Sequence, residues 1–347
     1  MAELPPPFVA IDGLANFRDI GGSPIEDKDG KTVAKVRNGV FYRGPDTRTV
    51  TPAGIARLKE LGITADFDLR SKGQIEKLGG PSPIDGIERI WAPAFPDGEY
   101  SPEKAAARYV QYASDGTEVG FPHYHFPILQ LQVELLQASS HMMSPFYLFF
   151  CINTSELATY HSQGIVQAFT DILTHGAPAA RIVMLHIASM NPDSPSACYI
   201  HCTTGNNRSG VFIGVILSLL GVKPEKIAEE YSLSDIGLRP TRDAAVERFM
   251  KSPVFAGAGG DGRARAERMV GARPESMLAM LEMVNKKWGS AEGYFKTMAG
   301  LTDEDIQMVR RVLTVQEGGR GGRSHKRQGS VWDSTKAIAT KLWGSLG

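Results

Sequence analysis

The sequence predicts an α/β protein with a central, mostly parallel sheet flanked by helices and a helical C-terminal half. Three patterns lead there. Helix-period and strand-period segments alternate between residues 51 and 201, an apolar strand at 197–201 runs through a short polar loop into an almost wholly apolar helix, and the chain from there to residue 315 reads as consecutive helices.

Residues 1–50 are short apolar pieces cut by turn signals at Asn16–Gly22, Asp27–Gly30 and Arg43–Pro45, with Val40–Tyr42 as a strand. Thr51 is placed to cap a helix that has Pro52 at its first position and Ile55, Leu58 and Leu61 on one face, ending at Gly62. Ile63–Leu69 and Ile87–Ala92 follow as strands, Ser101-Pro102-Glu103 opens a helix over 102–113, Ala177–Ser189 is a further helix, and Ala197–His201 a further strand. Ser209–Leu220 carries Val211, Phe212, Ile213, Val215, Ile216, Leu217, Leu219 and Leu220, which only a buried central helix accommodates. Lys226–Tyr231, Arg242–Met250, Pro274–Trp288, Ala291–Met298 and Asp303–Val315 complete the helical half, the last capped by Thr302. Met277, Met280 and Met283 at helical spacing read as core.

Composition narrows the function classes. The 347 residues are 42% hydrophobic and 22% charged, with 38 basic against 38 acidic side chains, so a packed core is expected and a nucleic-acid partner is not. Three cysteines, Cys151, Cys198 and Cys202, contain no metal-type pair. Cys198 and Cys202 would stand ~13 Å apart along one strand, too far for a disulfide. A reducing, cytoplasmic setting is expected, since the acidic and proline-rich start does not resemble a signal peptide and no window reaches the ~18 apolar residues of a membrane span. His123, His125, His141 and His161 lie near Cys151 at irregular spacing, so no metal site is assigned.

The chemistry resides in His201-Cys202-Thr203-Thr204-Gly205-Asn206-Asn207-Arg208-Ser209-Gly210. A loop of this length between strand and helix turns backbone N–H groups inward and adds the positive end of the helix dipole, which makes a phosphate nest from Thr203 through Ser209. Arg208 supplies a bidentate guanidinium, and the same field lowers the Cys202 thiol so that a thiolate attacks phosphorus while Ser209 assists the sulfur as it leaves. Sulfurtransferases of the rhodanese class use a loop one residue shorter before the arginine, so the spacing favours phosphate.

These residues resemble the protein tyrosine phosphatase superfamily and, within it, the bacterial and fungal tyrosine/serine phosphatase family that includes mycobacterial and listerial lipid-and-protein phosphatases. Asn16–Gly22, Tyr42-Arg43, Asp68–Ser71 with Glu76, Ser101–Glu103, the cysteine loop and Gly300–Asp305 follow that family's landmarks in order, over roughly residues 8–315. The resemblance implies a cysteine-phosphatase fold over residues 1–317, no cofactor, and a phosphotyrosine protein or other phosphomonoester as substrate, with dual specificity in some members. One departure matters. Where the family has Lys-Asp, this loop has Asn206-Asn207, and an amide cannot release a proton. The acid that protonates the leaving phenolate is then sought in Asp68, at a strand end, or Asp97, in the loop after Ile87–Ala92. Each has a plainer reading: Asp68 as an ion-pair partner of Arg70, Asp97 as a solvated turn residue. Arg18, Asp19 and Arg43 read as framework. The rival function, a catalytically weakened phosphate-binding module for phosphoproteins or phospholipids, rests on the same asparagine pair.

Two segments stand apart. Residues 119–163 are aromatic-rich, with Glu134 and Glu156 their only charged side chains. Their 45 codons are an in-frame 135 nucleotides that begin at a GT-initial valine codon, so they read either as a retained-intron product or as a genuine insertion. Residues 318–347 read as a flexible basic tail with a short amphipathic helix carrying Trp332, Ile338, Leu342 and Trp343, either a solvated linker with a frayed helix or a weak membrane-surface or partner helix. The Gly/Ala-rich Ala256–Gly260 between helices suggests a lid.

Overall fold

The structure, a computed structural model, describes residues 4–96, 102–113, 164–251 and 262–316. Asp97, the 119–163 segment with its histidines and Cys151, the Ala256–Gly260 stretch and the 318–347 tail lie outside the described residues.

The strands are β1 (Arg18–Asp19), β2 (Pro24–Glu26), β3 (Thr32–Val36), β4 (Phe41–Gly44), β5 (Ile63–Asp68), β6 (Glu88–Trp91), β7 (Ala197–His201) and β8 (Thr314–Gln316). The helices are α1 (Pro52–Glu60), α2 (Lys72–Lys77), α3 (Pro102–Tyr112), α4 (Gly164–His175), α5 (Ala177–Ser189), α6 (Asn207–Leu220), α7 (Pro224–Gly237), α8 (Arg239–Met250), α9 (Gly262–Val270), α10 (Pro274–Trp288), α11 (Ala291–Thr297) and α12 (Asp303–Leu313).

The main sheet has five strands in the order β1-β4-β7-β5-β6, parallel except for β1. Strand β7 is buried along its whole length, as a central parallel strand covered on both faces must be. Helix α6 follows it and packs against α4, α7, α10 and α11, which explains why its sequence is apolar all round. Met277 and Met280 are buried against this core and Met283 packs on it. Gly44 on β4 and Asp68 on β5 both stand level with His201 on β7. Three parallel strands therefore end together at one edge, where the loops that follow them converge.

The second sheet, β2-β3-β8, is where expectation and structure part. The last helix stops at Leu313, not Val315. Thr314 turns extended, and Thr314–Gln316 pairs antiparallel with Val36–Ala34. Two β-branched residues at the helix end favour that exchange. Helix α7 exceeds the predicted 226–231 at both ends, from Pro224 at its first turn to Gly237. Helices α2 and α9 were not anticipated. The first is announced only by the capping pair Ser71 and Gln74, and the second has a single short apolar stripe through Ala266 and Met269.

Candidate active site

Cys202 leaves β7 at its C-terminal end, and Asn206 is the N-cap of α6. Asn206 does not cap the helix with its side chain. Its Nδ2 is committed elsewhere, to the carbonyls of Val270 and Gly271 at 3.3 Å each. The first-turn amides of α6 are thus left facing the loop, the arrangement that suits an anion.

The loop carbonyls decide the rest. Thr203 O accepts from Asp46 N at 3.3 Å, Thr204 O from Asn16 Nδ2 at 3.2 Å, and Gly205 O and Asn206 O from Arg43 Nη2 at 2.7 and 2.9 Å. Four consecutive carbonyls are therefore drawn outward. Because a peptide unit is planar and trans, each drawn carbonyl turns the following N–H the other way, toward the cleft. Gly205 sits at φ +72°, and a Cβ there would lie 2.3 Å from the Gly44 carbonyl carbon, so the turn requires glycine.

Behind the loop, Arg18 and Arg43 are fully buried and share Glu230, at 2.8 Å to Oε1 and 2.6 Å to Oε2. Arg18 also donates to Glu230 O and Ser234 Oγ. Burial and the neighbouring Arg43 lower the Arg18 pKa to about 10, against the pull of Glu230. Burial pushes the Glu230 carboxyl up, but the two guanidiniums outweigh it and keep it ionised.

Cys202 is 2% exposed, with Sγ 3.7 Å from Ser209 Oγ. Burial opposes ionisation of its thiol, but the Arg208 charge and hydrogen bonds from Ser209 and the Gly205 amide more than offset it, bringing the thiol from 9.0 to about 7. Cys198, buried on the same strand with no such partners, is pushed strongly up by burial alone. Both are free thiols. Arg208 is held over the loop by Thr203 Oγ1 at 3.2 Å and by Gln74 Oε1. Tyr231 OH donates to Asn207 Oδ1 at 2.6 Å.

The structure corrects the reading of Asp68 as an acid. Its carboxylate is fully buried and accepts from Arg70 Nε and Nη2 at 2.8 and 2.7 Å and from Arg89 Nη2 at 2.8 Å. Burial raises the group, yet His201, Arg70 and Arg89 together hold it well below the usual carboxylate range. A carboxyl so held has no proton to give near neutral pH, and it serves as a tie between β5, β6 and β7. His201 is buried beside it, with Nε2 3.0 Å from Asp66 and Nδ1 3.1 Å from the Cys202 carbonyl. Burial disfavours its charge, but Asp66 and Asp68 raise it to about 9, so the imidazolium persists at neutrality.

The loop floors a cleft of about 350 Å³. Tyr109, Tyr112, Leu238 and Phe249 form its apolar walls, and Lys77, Arg242 and Arg248 bring positive charge to them. Among the described residues no cluster of His, Cys, Asp and Glu suits a metal ion, and no helix is long and apolar enough to cross a membrane.

A profile of the tyrosine phosphatase family matches residues 9–315. The chain belongs to the tyrosine phosphatase family. It is 24% identical over 309 residues to the triple specificity protein phosphatase PtpB of Mycobacterium tuberculosis, spanning 87% of this chain and 98% of that one. It is also 27% identical over 165 residues to a tyrosine-protein phosphatase of Nostoc commune, spanning 46% of this chain and 52% of the relative. Local sequence pattern does not single out Glu230 or Tyr231 as parts of this site, and it marks Arg43 only as framework. The Ser71-x-x-Gln74 capping pattern was the one local signal available. Glu230 and Tyr231 reach the site only through the packing of α7.

Proposed function

We propose that the chain is a tyrosine phosphatase-like phosphomonoester hydrolase that works through a cysteinyl-phosphate. The Cys202 thiolate attacks phosphorus, the loop amides and Arg208 hold the phosphoryl oxygens as their charge grows, and water then releases phosphate and restores the thiolate. The observation that carries this reading is the buried Cys202 thiol drawn down to about 7 beside Arg208 at the uncapped start of α6. Aromatic walls above an anion nest fit an aryl phosphate, so phosphotyrosine is the substrate class, and phosphoserine measures how far specificity extends. Family membership and the intact Cys202–Arg208 pair favour turnover over a binding-only module.

The test is hydrolysis of a phosphotyrosine peptide by the full chain and by Cys202→Ser. Turnover by the wild type with at least ~10⁴-fold loss in the variant is expected. Wild-type protein that binds vanadate yet releases no phosphate would instead favour the binding module, and activity retained in Cys202→Ser would rule out the covalent route.

A further inference from the structure

The phosphatase reading leaves one proton without a source. A tyrosine leaving group has a pKa of about 10, and its departure as a bare phenolate forgoes the ~10²–10⁴-fold that a positioned acid supplies. Asn207 has no proton of that kind, and its side-chain oxygen accepts from Tyr231. Asp68 is turned onto Arg70 and Arg89 and is not among the residues that line the cleft. Among the described residues that line the cleft above Cys202, one carboxyl remains, that of Asp235.

Asp235 lies on α7, one turn beyond Tyr231. On a helix, side chains four apart lie on one face, so the Asp235 carboxyl sits one turn from the residue that grips Asn207. The carboxyl is also fixed in orientation. Its Oδ1 accepts from Arg242 Nη1 and from the backbone N–H of Ala272, both at 3.0 Å. Both bonds go to Oδ1, so Oδ2 is the oxygen left to meet a leaving group. The 270–272 turn that holds Asp235 also holds Asn206, so loop and carboxyl share one anchor.

We infer that Asp235 is the general acid of this phosphatase: its carboxyl on α7 lines the Cys202 cleft beside Asn207 and delivers the proton that Asn207 cannot. The inference rests on the cysteinyl-phosphate reading above. In the first step the Cys202 sulfur forms a bond to phosphorus, the phosphorus–oxygen bond to the phenol breaks, and its electron pair takes the Asp235 proton, so that neutral phenol departs. In the second, the Asp235 carboxylate accepts a proton from the attacking water, the sulfur–phosphorus bond breaks, and the thiolate and the protonated acid are both restored.

The experiment compares kcat/KM for a phosphotyrosine peptide with that for a nitrophenyl phosphate, whose leaving group needs little protonation, in full-length wild type, Asp235→Asn, Asp235→Glu and Asp97→Asn. Asn keeps the acceptor for Arg242 and Ala272, so vanadate inhibition is expected to match wild type and to report an intact loop. The peptide rate should fall ~10²–10³-fold in Asp235→Asn, the nitrophenyl rate less than ~10-fold, with the alkaline limb of the peptide pH profile flattened. Asp235→Glu should regain part of the peptide rate. Equal losses on both substrates, an unchanged peptide rate, a Glu variant no better than Asn, or a selective peptide loss confined to Asp97→Asn would each overturn the assignment. A wild type inert on both substrates would fail the phosphatase reading itself, a result separable from any of these.

Discussion

The floor of the cleft and its outer wall are built from the same side-chain types used in opposite ways. Under the floor, Arg18, Arg43 and Glu230 are buried, and the arginines also donate to backbone and side-chain acceptors of the loop and its neighbours. On the outer side of the wall helices, away from the cleft lining, Arg263 bridges Glu247 on α8 and Glu267 on α9 with its side chain 55% exposed. Water screens the second set and is excluded from the first. A charge withdrawn from the floor leaves its partners stranded, whereas one withdrawn from the wall is replaced by solvent.

The largest effect should come from breaking the floor. Glu230→Ala leaves two guanidiniums buried without their carboxylate and is expected to cost about 3–5 kcal/mol in urea unfolding, with loss of vanadate binding because Arg43 no longer has a fixed position. A cost within ~1 kcal/mol would show that the buried pair is not what holds the loop.

Acidity gives a smaller and more graded break. The His201 pKa is raised in the fold from 6.5 to about 9, so the stability it contributes is fully present below pH ~6.5 and is lost as pH rises through about 9. Asp68 acts with the opposite sign. Its lowered pKa contributes stability above the ordinary carboxylate range that is lost only as the solution becomes strongly acidic. The lowered Cys202 thiol opposes the His201 loss between pH 7 and 9, so the effect is read in Cys202→Ser, whose urea midpoint should fall between pH 6.5 and 9 and stay flatter when His201→Asn is added. A Cys202→Ser midpoint that holds steady or rises over that interval would refute the buried imidazolium.

The smallest effect belongs to the wall. Arg263→Ala should leave the melting temperature and the peptide kcat/KM within experimental error, since both of its ion pairs are exposed. A marked drop in either would mean that the wall is held as tightly as the floor, and the contrast between them would collapse.

The two regions also differ in how far the sequence discloses them. The nucleophile, the clamp and the anion loop are contiguous from Cys202 to Ser209, and their strand–loop–helix setting follows from local apolar patterning alone. The same holds for α1, β5, β6 and α6, whose caps and periods are written in their own residues. What escaped depends on distant partners. Strand β8 exists because β3 offers it an edge, and the tail of a good amphipathic helix gives no hint of that. Asp68 stands at the strand end where an acid is sought, and only the approach of Arg89 from the neighbouring strand, together with Arg70, settles its charge. Asp235 looks like any helix-surface carboxylate until the cleft is assembled around it.

The chemistry of the cleft depends on the loop making Cys202 a phosphate-protected thiolate near neutral pH. The direct measurement is the pH dependence of iodoacetate alkylation at Cys202, followed by peptide mapping to separate it from Cys151 and Cys198, with and without inorganic phosphate. A midpoint near 7 that phosphate suppresses is the predicted result. A midpoint near the ordinary 9.0, indifferent to phosphate, would contradict it.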